Sequence, residues 1–210
     1  DLMKILLVTL LHPLPTNAAR GTFVADHAQL LRDMGHDVRI VNPLPRLLKY
    51  MEQSRSTLTG VAKAPKQFEH NDFQIFAPRY VAYTDHPYPW LTARSIRNRQ
   101  RSIEKWLSGW RPDHIIAHTL WPVGELARSL SKRWKVPWTG VVHGHDVDVG
   151  LTHPTTRKRI KSLILISPEK LVQKNYALDC INSTSIPNDL SSLTRTLNDS
   201  GIPASKVSSP

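Results

Sequence analysis

His143-Gly144-His145-Asp146 follows directly on the apolar run Trp138-Thr139-Gly140-Val141-Val142. A short β-branched run that ends in polar, reactive side chains reads as a buried parallel strand delivering chemistry at its carboxyl end. In open α/β sheets that end is where ligands bind. Histidines two apart suggest metal, as in HxH hydrolases. The HxHxDH spacing fails, however, because aspartate occupies 146 and 148 and no histidine follows at once. Amidohydrolases carry HxH on a larger barrel, for which 210 residues are too few. A metal site is therefore not expected.

Two further segments place chemistry at strand ends. In Arg111-Pro112-Asp113-His114-Ile115-Ile116-Ala117-His118-Thr119-Leu120-Trp121-Pro122 a strand ends in His118, with Trp121 close by and a helix beginning. His118 is either a histidine hydrogen-bonded at a strand end or a ligand contact on the edge that carries His143. The loop from His12 to Arg20 leads into Gly21-Thr22-Phe23-Val24. A glycine at a strand-to-helix turn lets backbone approach a ligand, and a helix N-terminus attracts anions. Gly21 is either a phosphate contact or a plain turn glycine. No GxGxxG is present, which disfavours a dinucleotide fold, and no GxxxxGKS/T is present, which excludes a P-loop NTPase.

The elements that must position these residues alternate. Lys4 to Thr9 is a continuous apolar strand; Thr22 to Met34 is a helix with Phe23, Ala28, Leu30, Leu31 and Met34 spaced for one face; Asp37 to Val41 is the next strand. Gly35 stops the helix as a C-cap residue would. Pro43 to Gln67 is irregular, with a short helix through Leu47, Leu48 and Met51. Phe73 to Phe76 is a strand, and a single helix is expected from about Leu91 to Trp110. Strand His114 to Ala117, helix Val123 to Trp134, strand Trp138 to Val142, helix Thr155 to about Tyr176, strand Leu178 to Asn182 and helix Pro187 to Asn198 follow. That rhythm predicts an α/β domain: one Rossmann-like, doubly wound parallel sheet with helices on both faces.

Composition bounds the rest. A hydrophobic fraction of 40% suits a globular domain, and no apolar run approaches the roughly 20 residues of a membrane span. The apolar run Lys4 to Leu11 reads as a core strand and not as a signal peptide. One cysteine, Cys180, points to a reducing cytoplasm. A net charge of +11 implies an anionic surrounding or anionic ligands.

The order of these segments resembles the N-terminal, acceptor-binding domain of retaining GT-B glycosyltransferases (glycosyltransferase family 4-like, group 1). The likeness runs through Met3-Lys4-Ile5-Leu6-Leu7-Val8, Gly21-Thr22-Phe23-Val24, Gly35-His36-Asp37-Val38, Arg111-Pro112-Asp113 to His118, and Val136-Pro137 to His143-Gly144-His145-Asp146-Val147. It closes with Leu178-Asp179-Cys180-Ile181-Asn182-Ser183 and Gly201-Ile202-Pro203-Ala204-Ser205-Lys206-Val207. The resemblance implies transfer of a sugar from a nucleotide-sugar donor to a glycan or lipid-linked acceptor, with no separate cofactor. It implies His143 beside the transferred sugar as the catalytic residue, Gly21 near the donor diphosphate, and Arg20, His118, Trp121 and Asp146 as acceptor contacts. Residues 3–207 would form the Rossmann-like domain and 208–210 the start of a linker to a C-terminal donor domain absent from the chain. The isolated chain would then be inactive, since stabilising a departing nucleotide needs that domain's cations. A non-catalytic sugar- or anion-binding module is the alternative reading, ahead of a metal-dependent hydrolase.

Arg94, Arg97, Arg99, Arg101 and Lys105 cluster between Leu91 and Trp110, where Ile96, Ile103, Leu107 and Trp110 share a helical face. Such a segment is either an ordinary surface helix or a basic amphipathic helix lying on anionic lipid. The second reading places the protein in the cytoplasm, peripherally on the inner face of the plasma membrane. No nucleic-acid partner is expected, because no recognised binding motif accompanies the charge.

Overall fold

The structure, a computed structural model, describes residues 2–47, 52, 58–82, 89–144, 146, 151 and 154–164. The strand Leu178 to Asn182, the helix Pro187 to Asn198, the end of the helix begun at Thr155, and Leu48, Met51, His145 and Cys180 lie outside the described residues.

The chain forms an α/β domain whose mostly parallel sheet is flanked by helices. Its first βαβ unit is β1 (Lys4–Thr9), α1 (Thr22–Asp33) and β2 (Asp37–Val41). β3 (Leu44–Pro45), β4 (Gln67–His70), β5 (Phe73–Phe76) and β6 (Arg79–Tyr80) follow. The helices α2 (Pro89–Arg97) and α3 (Gln100–Leu107) precede β7 (His114–His118), α4 (Val123–Trp134), β8 (Trp138–Val141) and α5 (Pro154–Ile164). The main sheet runs β4-β5-β2-β1-β7-β8, and β3 and β6 pair separately. From β1 the chain winds to one side through β2 and β5, then returns to the other side of β1 with β7 and β8. The carboxyl ends of β1 and β7 therefore flank the switch point, where open α/β sheets leave a crevice for ligands.

Three expectations need correction. The sheet is mixed, because β4 is antiparallel to β5. Asn71 and Asp72 between them both have positive φ, 48° and 60°, the backbone that closes a two-residue hairpin and that Asn and Asp tolerate. The expected helix from Leu91 to Trp110 is two helices broken at Asn98-Arg99, where Arg99 N–H bonds to the Ile96 carbonyl at 3.0 Å. Ile96, Ile103 and Leu107 are still all buried, because the break keeps the apolar face in phase.

The third correction concerns the face of α1. Phe23, Leu30 and Met34 are 45%, 58% and 62% exposed, and the buried residues are Val24, Ala25 and Ala28. Val24 and Ala28, with Leu31 beside them, pack on Leu7, Ile40, Phe73 and Ile75 of the sheet. Residues 24, 28 and 31 keep the i, i+4, i+7 spacing of a helical stripe. The larger apolar side chains lie off that stripe, and this rotation decides what α1 presents to the site.

Candidate functional site

β7 lies beside β1 with Thr9 opposite His118, and β8 lies beside β7 with His118 opposite Val141. His118 thus stands at the switch point, and His143 emerges two residues beyond the end of β8. Asp146 joins the two strand ends. One carboxylate oxygen accepts the N–H groups of Leu120 (2.9 Å) and Trp121 (3.3 Å), and the other accepts the N–H of His143 (3.1 Å). Asp146 N–H in turn donates to the His143 carbonyl at 2.9 Å. Asp146 is 3% exposed. Burial pushes its carboxyl above 3.8, while the three amide donors and His143 pull it back.

That clamp brings three imidazoles into a row. His118 Nδ1 is 3.0 Å from His143 Nε2, and His118 Nε2 is 2.8 Å from His27 Nδ1. The His118 and His143 planes differ by only 17°, with centroids 5.3 Å apart; so long a separation beside a 3.0 Å contact means the rings meet edge to edge. Phe23 of α1 covers them, with its ring 5.1 Å from that of His143 and 6.3 Å from that of His118. Desolvation, with His27 and His143 nearby, lowers His118 to about 4. His27 and His143 are also lowered, chiefly by burial. At neutral pH the row is uncharged and offers hydrogen bonds rather than positive charge. No group of three His, Cys, Asp or Glu among the described residues is arranged to hold a metal ion.

Gly21 caps the N-terminus of α1 in the left-handed region, with φ 62° and ψ 38°. A Cβ there would lie 2.6 Å from the Leu11 carbonyl carbon and 2.9 Å from His12 N, so both conformation and space demand glycine. Arg20, buried beside it, donates to the carbonyls of His12 (3.0 Å) and Leu10. Desolvation lowers its guanidinium to about 10. His12 is fully buried and lowered by desolvation to about 4, with Nδ1 3.0 Å from the Pro13 carbonyl. The loop after β1 is therefore a braced turn.

His143, His118, Trp121 and Asp146 are brought together at one sheet edge, and Gly21 opens the helix that carries Phe23 and His27 to it. Arg20, His118 and Asp146 each turn polar atoms onto the protein itself. His27 and Phe23 escaped the reading from sequence. Their i, i+4 spacing just after a candidate phosphate loop was the available signal, but Phe23 was placed with the core.

A glycosyltransferase named for teichuronic acid biosynthesis, TuaC of Bacillus subtilis (strain 168), is 24% identical over 153 residues, which cover 70% of this chain. The chain spans 38% of that protein's length. Solved structures align more loosely. A glycotransferase of kitacinnamycin matches at TM-score 0.37 and 14% identity, over 97% of this chain and 42% of its own. UGT89C1 of Arabidopsis thaliana complexed with UDP matches at TM-score 0.36 and 11% identity, over 72% and 37%. The C-terminal domain of the PF1911 hydrogenase of Pyrococcus furiosus aligns at TM-score 0.37 and 12% identity, over 67% and 95%. The glycosyl transferase 4-like domain model matches residues 20–174, well over half of the chain, and to that family the chain belongs.

Proposed function

We propose that this chain is the acceptor-side, N-terminal half of a retaining GT-B glycosyltransferase that moves a sugar from a nucleotide-sugar donor to a glycan or lipid-linked acceptor. The observation that carries the reading is His143, fixed by Asp146 beside His118 at the switch point of a glycosyl transferase 4-like domain. A neutral, partly exposed imidazole at that edge suits hydrogen bonding to a sugar hydroxyl. Gly21, at the N-terminus of α1, suits the approach of a donor diphosphate. Arg20, His118 and Asp146 act as positioning residues: Arg20 holds the loop after β1, and the other two hold His143. Trp121 takes the acceptor.

The cations that stabilise a departing nucleotide belong to the donor half in this reading. Sugar transfer is therefore measured with the 210-residue chain alone and with the complete protein. The expected result is no turnover by the chain alone, and loss of at least ~100-fold in kcat when His143→Ala is made in the complete protein, within the range set by loss of one such group. Robust turnover by the chain alone, or an unimpaired His143→Ala protein, overturns the reading. The exposed Arg94, Arg101 and Lys105 of α2 and α3 would hold the protein peripherally on an anionic cytoplasmic membrane face, within reach of a lipid-linked acceptor.

A further inference from the structure

The contacts in the histidine row repeat in one sense: each joins Nδ1 of one ring to Nε2 of the next, His27 to His118 and His118 to His143. A neutral imidazole has one N–H and one bare nitrogen. A neutral His118 therefore donates through one nitrogen and accepts through the other. When His118 donates from Nε2 to His27, its Nδ1 accepts from His143 Nε2–H, and all three rings carry the proton on Nε2. When the sense is reversed, all three carry it on Nδ1. No mixed arrangement of neutral rings satisfies both bonds.

We infer that His27, His118 and His143 act as one tautomer-coupled row, in which the proton positions of His27 on α1 and His143 at the sheet edge are linked through His118. The ends of the row are partly exposed and its centre is buried at 3%. It therefore runs from one accessible ring to another through a shielded one. Beginning with all protons on Nε2, a proton accepted at His143 Nδ1 drives a concerted shift. The His143 Nε2 proton passes to His118 Nδ1, the His118 Nε2 proton passes to His27 Nδ1, and the His27 Nε2 proton leaves to water. One proton enters, one leaves, and each ring ends neutral with its proton on Nδ1. His143 can thus take the proton of a hydroxyl without itself becoming cationic. His27 is a positioning residue here, and α1 is joined to the chemistry at β8 across 91 positions of sequence to His118.

The role of that proton rests on the sugar-transfer reading; the coupling does not, because it is read without substrate. The test is two-bond proton–nitrogen NMR of the 15N-histidine-labelled 210-residue chain at neutral pH. The same tautomer is expected at His27, His118 and His143. His27→Leu, which leaves His118 Nε2 without its partner, is expected to change the ratio of the two His143 tautomers. His27→Asn, whose amide can donate to or accept from His118 Nε2 as the histidine does, is expected to return that ratio towards the value of the unaltered chain. Mixed tautomers in the unaltered chain overturn the inference, as does a His143 signal indifferent to His27→Leu. Where His27→Leu does not fold, the unaltered chain and His27→Asn decide: failure of the asparagine to keep the tautomer counts against the row. A chain that passes this test but belongs to an enzyme silent in sugar transfer would sink only the functional reading.

Discussion

Asp146 shows how one side chain can hold two strand ends together. Its two oxygens accept three amide protons from the ends of β7 and β8, and a buried amide left unpaired costs about 1–3 kcal/mol. Asp146→Ala is expected to lower stability by about 3 kcal/mol in urea denaturation, with Asp146→Asn losing less because one acceptor oxygen remains. The buried imidazoles set the acid behaviour. His12 and His118 bind protons at about 4 when folded and near 6.5 when unfolded. Between those values the unfolded chain holds more protons, so stability is present above about 6.5 and falls as the pH drops towards about 4. Each displaced unit is worth about 1.4 kcal/mol, which makes the loss on the order of 3 kcal/mol per ring. Asp146, lifted above 3.8, takes up its proton first in the folded state and offsets part of this at the bottom of the window. Urea midpoints followed from neutral pH to about 4 check the slope; a flat profile would contradict neutral buried rings.

At the scale of elements, α4 is the hub behind the site. It follows β7 directly, and its Glu125 is fully buried. That carboxylate meets Arg97 of α2 and Arg128 of α4 at 3.2 Å and Arg159 of α5 at 3.0 Å. One negative charge thus ties three helices together, and removing it leaves three partly exposed guanidinium groups facing one another. Glu125→Ala is expected to cost about 1.5–3 kcal/mol by chemical denaturation, more than the alanine variant of exposed Arg101. The break between α2 and α3 belongs to this scale too. It permits Arg97 to reach Glu125 while Gln100 of α3 donates to Ser129 of α4.

At the scale of the molecule, the net charge of +11 meets two different uses. Arg97, Arg128 and Arg159 are spent on Glu125, whereas Arg94, Arg101 and Lys105 remain exposed. No helix among the described residues is long and apolar enough to cross a membrane. If the exposed set holds the protein on lipid, co-sedimentation with vesicles rises with anionic lipid content and falls with salt over the range where the Debye length shrinks below about 10 Å. Replacing those three residues by glutamine is expected to weaken it several-fold. Binding indifferent to both variables would contradict peripheral attachment.

Local signals determined the alternation of strands and helices, the βαβ start and the placement of His118 and His143 at strand ends. A strand run or a helical stripe is written in a window of a dozen residues. The Asn71-Asp72 hairpin is legible by the same means, as a turn pair between short strands, although the reading from sequence assigns no element to residues 68–72. Only tertiary structure decided the order of the strands, which puts β1 and β7 side by side. It alone turned Phe23 and His27 of α1 towards the histidines and set Asp146 on three amides from two strand ends. Those outcomes rest on register and helix rotation, which depend on packing between segments far apart in sequence. The His-Gly-His-Asp stretch thus pointed to a polar strand end by itself, and the packed sheet supplied the burial that lowers His143 and the Asp146 contact that orients it.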